Sequence, residues 1–104
     1  MKVAIYQIDR SKDVNKFCFE DYDRVVRIQG NKHIDKKIYD KVFEGNVECT
    51  NLEDVYIMFN INQPCNFKGR SLSISDMVEV VESNAIKIGY YYCDRLGFRK
   101  VKIQ

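Results

Sequence analysis

The sequence has no tryptophan, one proline, one histidine and no long apolar run. Because no stretch approaches the ~20 apolar residues of a membrane-spanning helix, we expect no membrane segment. One histidine and four widely spaced cysteines provide no close ligand pair, which argues against a structural zinc site. Met1 leads directly into KVAIY, without a basic leader and an apolar signal core. We therefore expect a cytoplasmic protein whose cysteines are free thiols.

Motifs that carry catalysis are also missing. The sequence contains no glycine-rich phosphate loop, no H-E-x-x-H and no G-x-S-x-G pattern. The histidine, His33, lies in a basic loop far from the serines that could act as nucleophiles. We therefore expect neither an enzyme nor a cofactor. The catalytic alternative is a small metal-dependent hydrolase or nuclease that uses Asp76 and Asp94, but structural roles in turns explain these residues more simply.

What the sequence does contain is sufficient for one hydrophobic core. Its 104 residues, 45% of them hydrophobic and 31% charged, predict one globular domain spanning residues 1–104. The net charge is only +2, but the segments 24–43 and 83–104 carry +4 each and the segment 44–82 carries −5. If the two basic blocks met on one face, they would form a patch for nucleic acid or an acidic protein. The alternative is a solvated surface of mixed charge.

The most strongly specified stretch runs from residue 50 to residue 76. Thr50 and Glu53 have the spacing of a capping box, which predicts the start of a helix. Apolar residues then recur at helical spacing, and Pro64 requires the helix to end by about Ile61. The apolar stripe consists of Leu52, Val55, Tyr56 and Phe59.

After this helix, a turn carries Arg70 and serines at the alternate positions 71, 73 and 75. Gly69 suits a turn with positive φ, and the alternation predicts that Arg70 and the serines face away from the core. Such a surface could bind an anion. Turn chemistry favours a different interpretation, in which the serines and Asp76 hydrogen-bond their own backbone.

Alternating apolar residues predict strands elsewhere, over residues 2–8, 38–44, 77–82, 86–93 and 98–103. Residues 20–29 fit a helix ended by Gly30, with a short strand as the alternative. Tyr90 and Tyr92 share an apolar face and should lie in the core, which leaves Tyr91 as a possible exposed partner contact. These elements predict an α+β fold: a small antiparallel sheet of about four to five strands, with a C-terminal meander and one or two helices packed on one face.

Several of these residues also form a recognisable pattern. Leu52-Glu53-Asp54-Val55, Phe59-Asn60, the S-L-S-I-S-D of residues 71–76, and the Y-Y-C-D of residues 91–94 followed by Gly97-Phe98 resemble the YodL-like domain of Gram-positive bacteria and their mobile elements. The likeness covers residues 52–98. Many family members carry histidine at the position of Arg70, and a guanidinium cannot replace that histidine as a base because it stays protonated.

The resemblance implies a function, because the family includes small type II anti-CRISPR proteins with this domain. It implies a mobile-element-encoded inhibitor that binds the RNA-guided nuclease of a type II CRISPR system, or its guide RNA, and blocks guide RNA loading or activity. The alternative is an interaction module that acts on the bacterial actin-like cytoskeleton and changes cell shape. Our candidate partner-binding residues are Arg70, Arg95, Arg99 and Lys100.

The acidic central segment offers a second possible contact surface. Its carboxylates could imitate nucleic acid toward a basic channel of the nuclease. These acidic residues are Glu44, Glu48, Glu53, Asp54, Glu79 and Glu82.

Overall fold

A six-stranded mixed sheet forms the centre of the molecule. In the computed structural model, which describes residues Met1–Gln104, its strands are β1 (Lys2–Ile8), β2 (His33–Ile34), β3 (Tyr39–Asn46), β4 (Met77–Glu82), β5 (Gly89–Asp94) and β6 (Gly97–Ile103). The strands lie in the order β2-β6-β5-β4-β1-β3. The short pairing of β2 with β6 is parallel, and the other pairings are antiparallel. Two helices, α1 (Tyr22–Gln29) and α2 (Leu52–Ile61), complete the fold; neither is long and apolar enough to cross a membrane.

Strand β1, predicted over residues 2–8, lies in the interior of the sheet and is buried on both faces. Val3 and Ile5 pack in one apolar cluster, while Ala4, Tyr6 and Ile8 pack in another. Successive side chains of a strand point to opposite faces, so each cluster occupies its own side of the sheet. The protein therefore has two cores separated by one sheet.

Each core is covered by a different helix. Helix α2 contributes Leu52, Val55 and Phe59 to the first cluster, and α1 contributes Val25 to the second. The Phe59 ring packs edge-on against Phe43 and Phe67, with centroids 5.0 and 4.9 Å away. The helices thus lie on opposite faces of the sheet, whereas the sequence predicted them on one face.

The predicted fold class is confirmed, including the meander of β4, β5 and β6 beside β1. The sheet has six strands, slightly more than predicted, because part of the expected basic loop at residues 31–37 pairs with β6 as β2. The segment predicted as a helix over residues 20–29 forms α1 over Tyr22–Gln29 rather than the alternative strand. Asp21 caps α1 by accepting from the Arg24 amide at 2.9 Å, and Gly30 ends it at φ +83°.

Two predictions about β5 were wrong. Tyr91 is only 9% exposed and packs in the α2 core, whereas it was predicted to face outward. The strand begins at Gly89 rather than at Ile86. The error about Tyr91 arises because, when both faces of a strand are covered, alternation no longer distinguishes a buried face from an exposed one.

The bounds of α2 were predicted almost correctly, but its cap was not. The side chain of Asn51, not of Thr50, accepts from the backbone amide of Asp54 at 2.8 Å. The helix begins at Leu52 and ends at Ile61, as Pro64 requires. The N-cap of α2 therefore lies at Asn51, one residue after the position that the predicted capping box gave it.

Phe59 should be the residue of α2 on which stability depends most. We expect Phe59→Ala to lower the free energy of unfolding by about 3–5 kcal/mol, because it removes a fully buried ring between two others. Ile57→Ala on the exposed side of the same helix is the matched control and should cost under about 1 kcal/mol. Urea unfolding followed by circular dichroism measures both, and equal losses would contradict the assignment of the α2 core.

Candidate functional site: a buried arginine–aspartate pair and a basic sheet edge

The turn that follows α2 is held by an ion pair between Arg70 and Asp76. Two guanidinium nitrogens of Arg70 donate to the two carboxylate oxygens of Asp76, each at 3.0 Å. Asp76 is fully buried, and the Arg70 guanidinium also lies 4.8 Å from the centroid of the Phe19 ring. Arg70 is therefore held by a bidentate ion pair with Asp76 and by its position over the ring of Phe19. Both are favourable geometries for a guanidinium.

The Asp76 carboxylate has two further donors. The Ser73 amide donates to it at 2.8 Å, and Nε2 of Gln7 donates to it at 3.1 Å. Gln7 also binds the backbone of Arg70, donating to its carbonyl at 2.8 Å and accepting from its amide at 3.1 Å. A Cβ on Gly69 would collide with Oε1 of Gln7. Gly69 is thus needed for this close approach, and not for the positive φ that the sequence predicted.

Burial and pairing act in opposite directions on these two groups. Burial raises the pKa of Asp76, although the hydrogen bonds and charge of Arg70 act to lower it. Burial acts to lower the pKa of Arg70, but the hydrogen bonds and charge of Asp76 outweigh it and raise that pKa. Because an arginine stays protonated at any physiological pH, the buried carboxylate always faces a positive charge.

Ser75 is the strained residue of this turn. It is fully buried at φ +84°, a conformation that costs a residue other than glycine about 1–2 kcal/mol. Its hydroxyl accepts from the Phe19 amide at 2.9 Å, its carbonyl accepts from the Tyr39 hydroxyl at 2.7 Å, and its amide donates to the Cys93 carbonyl at 3.0 Å. The prediction that Ser75 faces away from the core was therefore wrong.

All three buried polar residues of the chain, Gln7, Ser75 and Asp76, belong to this cluster. Its hydrogen bonds run between protein groups, as the turn-chemistry interpretation of Asp76 predicted. Because the Arg70 guanidinium is taken up by Asp76, the turn does not present a free cation to an anion. The hydrogen bonds of this cluster stabilise the fold by holding the turn after α2 against β1.

Neither aspartate of the hydrolase alternative is arranged as a metal ligand. Asp76 is occupied by the donors described above, and Asp94 accepts from the amides of Tyr22 and Arg95 at 3.3 and 3.0 Å. No group of three histidine, cysteine or acidic side chains is placed to hold a metal ion. Cys93 lies between these aspartates, and burial raises its pKa to about 12, so its thiol is protonated at neutral pH.

The four candidate contact residues do not form one cluster. Arg95 pairs with Asp21 and Arg99 with Asp23, each at 3.0 Å, beside the start of α1. Lys100 is the only one of the four without an ion pair. Arg95 and Arg99 therefore lie in a charge-balanced region. Lys100 lies elsewhere, in a groove at the edge of the sheet formed by β2 and β6.

In this groove the two basic segments of the sequence, 24–43 and 83–104, meet. It has a volume of about 490 Å³ and is lined by Tyr22, Lys32, His33, Lys100, Val101 and Lys102. The pairing of His33 with Lys102 brings residues from both blocks onto this edge of the sheet. No carboxylate lines the groove, and its lysines form no ion pair. We call Lys32, His33, Lys100 and Lys102 the basic edge.

Sequence reasoning did not select Lys32, His33 or Lys102 as contact residues. The available signal was the uneven charge along the chain, which predicted a patch on condition that the two blocks met. The acidic segment, in contrast, does not form one surface. Glu44 pairs with Lys41 at 2.6 Å, and Glu79 accepts from the Tyr6 hydroxyl on the face opposite α2.

The fold and the site define a small α+β domain whose buried polar cluster is structural and whose free charges lie outside. The chain belongs to the YodL-like domain family, because the family model matches residues 2–103. The likeness noted for residues 52–98 thus extends to nearly the whole chain. No curated protein and no solved structure matches it.

Asp76→Asn should be strongly destabilising, because it removes the charge that Arg70 faces and turns an acceptor oxygen into a donor. We expect a loss of about 3 kcal/mol in the free energy of unfolding. Asp23→Asn makes the same chemical change in the exposed pair with Arg99 and should cost under about 1 kcal/mol. Thermal and urea unfolding of both variants provide the measurement. Similar losses would show that the buried pair has no special role in stability.

Proposed function

We propose that this chain is a mobile-element-encoded inhibitor that binds a type II RNA-guided nuclease and blocks guide RNA loading, without catalysing a reaction. The observation that carries the proposal is the basic edge, where two charge blocks from distant parts of the sequence converge. The chain belongs to the YodL-like domain family, and the proposed class of partner comes from the anti-CRISPR proteins that its motifs imply among members of that family. The structure supplies the surface that would make the contact.

The basic edge has the chemistry needed to bind a phosphate backbone. Three lysines line an open groove together with His33 and without a neutralising carboxylate, so the charge of the lysines remains available to a ligand. Lysine ammonium groups contact phosphates as point charges and release counterions, which gives sequence-independent affinity. Guide RNA is therefore the component of the nuclease complex that this edge fits. By holding the guide RNA, or its site of entry, the protein would prevent assembly of the active complex.

The structure favours this surface over imitation of nucleic acid by the acidic segment. Such imitation requires a continuous row of carboxylates. Here Glu44 is neutralised by lysine and Glu79 lies on the opposite side of the sheet from Glu53 of α2. Binding of a phosphate backbone instead requires grouped positive charge, and the basic edge groups three lysines without a carboxylate among them.

The variant that tests the proposal is the double reversal Lys100→Glu/Lys102→Glu. We expect it to lose inhibition of target cleavage when the protein is mixed with the nuclease before guide RNA is added. The slope of log K against log salt for guide RNA binding should also become shallower by about 2, since two phosphate contacts are lost. Fluorescence anisotropy of labelled guide RNA measures the binding, and a cleavage assay measures the inhibition.

Lys68→Glu is the matched control. Lys68 is exposed and has no ion pair, and its amide donates to the Val42 carbonyl of β3, at the edge of the sheet opposite β2. It should inhibit as the wild type does. If the double variant remains fully active, the basic edge is not the contact surface. If the wild type neither binds the nuclease or its guide RNA nor lowers cleavage, the proposal fails; widening of rod-shaped cells that express it would then favour the cytoskeletal alternative.

A further inference from the structure

After its acidic first turn, α2 exposes two isoleucines on its outward face. Ile57 is 55% exposed and Ile61 is 80% exposed, and the two are four residues apart on one side of the helix. A surface helix of a globular protein normally turns a polar face to water. Isolated exposed apolar residues need no explanation, but two on one helix face form the beginning of a patch.

Grooves on both sides of Ile57 enlarge this patch. The first has a volume of about 410 Å³ and lies between α2 and the β5–β6 turn, where Tyr56, Ile74 and Phe98 line it. The second, of about 580 Å³, lies between α2 and the segment before it, where Val47, Cys49 and Met58 line it. Ile57 lines both grooves and therefore forms a ridge between them. We call Ile57 and Ile61, together with the two grooves, the α2 ridge.

Negative charge without a partner surrounds this ridge. Glu53 and Asp54 occupy the first turn of α2, Glu48 lines the second groove, and none of the three forms an ion pair. All three are exposed. Arg95 also lines the first groove, but it is paired with Asp21 at 3.0 Å. The unpaired charge beside the ridge is therefore negative, and a ligand that combines apolar side chains with positive charge fits it.

We infer that the α2 ridge is a docking site for a basic amphipathic helical segment of a partner protein. Apolar side chains of such a segment, spaced by three or four residues, would fill the grooves on either side of Ile57. Its lysines or arginines would face Glu48, Glu53 and Asp54, which favours correct orientation and faster association. The inference goes beyond the proposed function, since it concerns a different surface from the basic edge and a helical protein segment rather than a phosphate backbone.

Charge also argues against a second copy of this chain as the occupant. In a two-fold arrangement of α2 against itself, its acidic first turn would have to meet positive charge on the facing helix. The last turn of α2 contains no basic residue, and Arg95, the one cation that lines the two grooves, is already paired with Asp21. Self-association would therefore leave the carboxylates without a counter-charge, whereas a basic segment supplies one.

The test uses the full chain and a synthetic amphipathic helix of leucine and lysine as the probe. A peptide with glutamate in place of each lysine is the control. We expect the leucine–lysine peptide to bind and to shift the amide signals of α2 in nitrogen-15 spectra. Ile57→Ser/Ile61→Ser should weaken binding at least roughly tenfold, because two apolar anchors are lost. Glu53→Gln/Asp54→Asn should weaken it and reduce its salt dependence.

Three results would overturn the inference. They are absence of binding by the wild type, equal binding of the glutamate peptide, and unchanged binding by the isoleucine double variant with its fold intact by circular dichroism. A wild-type dimer in sedimentation that the isoleucine variant converts to a monomer would identify a second copy as the occupant and would also overturn it. Because these measurements contain neither nuclease nor RNA, failure of the proposed function would not affect them.

Discussion

The carboxylate of Asp76 is the charge on which the arrangement of the sheet depends. Folding removes it completely from water, and it is satisfied by Arg70 and Ser73 of its own turn and by Gln7 of the central strand. Asp76 is fully buried while the Arg70 side chain is 36% exposed, so desolvation of the carboxylate offsets much of the attraction in the pair. The main effect of the pair is to exclude arrangements that leave the carboxylate unpaired. Here it fixes the turn after α2 against β1 and so sets where β4 begins.

This constraint determines which surfaces remain available to a partner. With β4 beside β1 and β5 beside β4, the central strands carry apolar residues on both faces, and each face needs its own helix. Once α1 and α2 cover the sheet, its faces are closed to a partner, while its edges and the outer faces of the helices stay accessible. The basic edge and the α2 ridge are surfaces of these two kinds. Both follow from covering a small sheet on two sides.

The features predicted from sequence are those that local chemistry specifies. The ends of α2 follow from Pro64 and a polar residue before the first turn, and the end of α1 follows from Gly30. The buried cluster could not be predicted, because Gln7 is separated from Asp76 by 69 positions. Ser75 shows the limit of alternation most clearly. Its positive φ redirects a side chain that the pattern places outside, and bonds from three distant segments hold it there. Of the contact residues, Lys100 alone lies on the edge that the charge blocks build.

Positive and negative charge lie on separate surfaces of the domain, which the small net charge of +2 does not reveal. Unpaired lysines collect at the β2–β6 edge, while unpaired carboxylates collect at the first turn of α2 and the segment before it. Electrostatic fields of opposite sign on one small domain orient it as it approaches a charged partner. This orientation acts within the Debye length of roughly 8–10 Å, beyond which salt screens the charges. In the proposed complexes, charge would govern the encounter, and burial of Ile57 and Ile61 would supply the short-range affinity that charge in water cannot. Because the polar cluster is turned inward, the charges that remain outside are the ones a partner would meet.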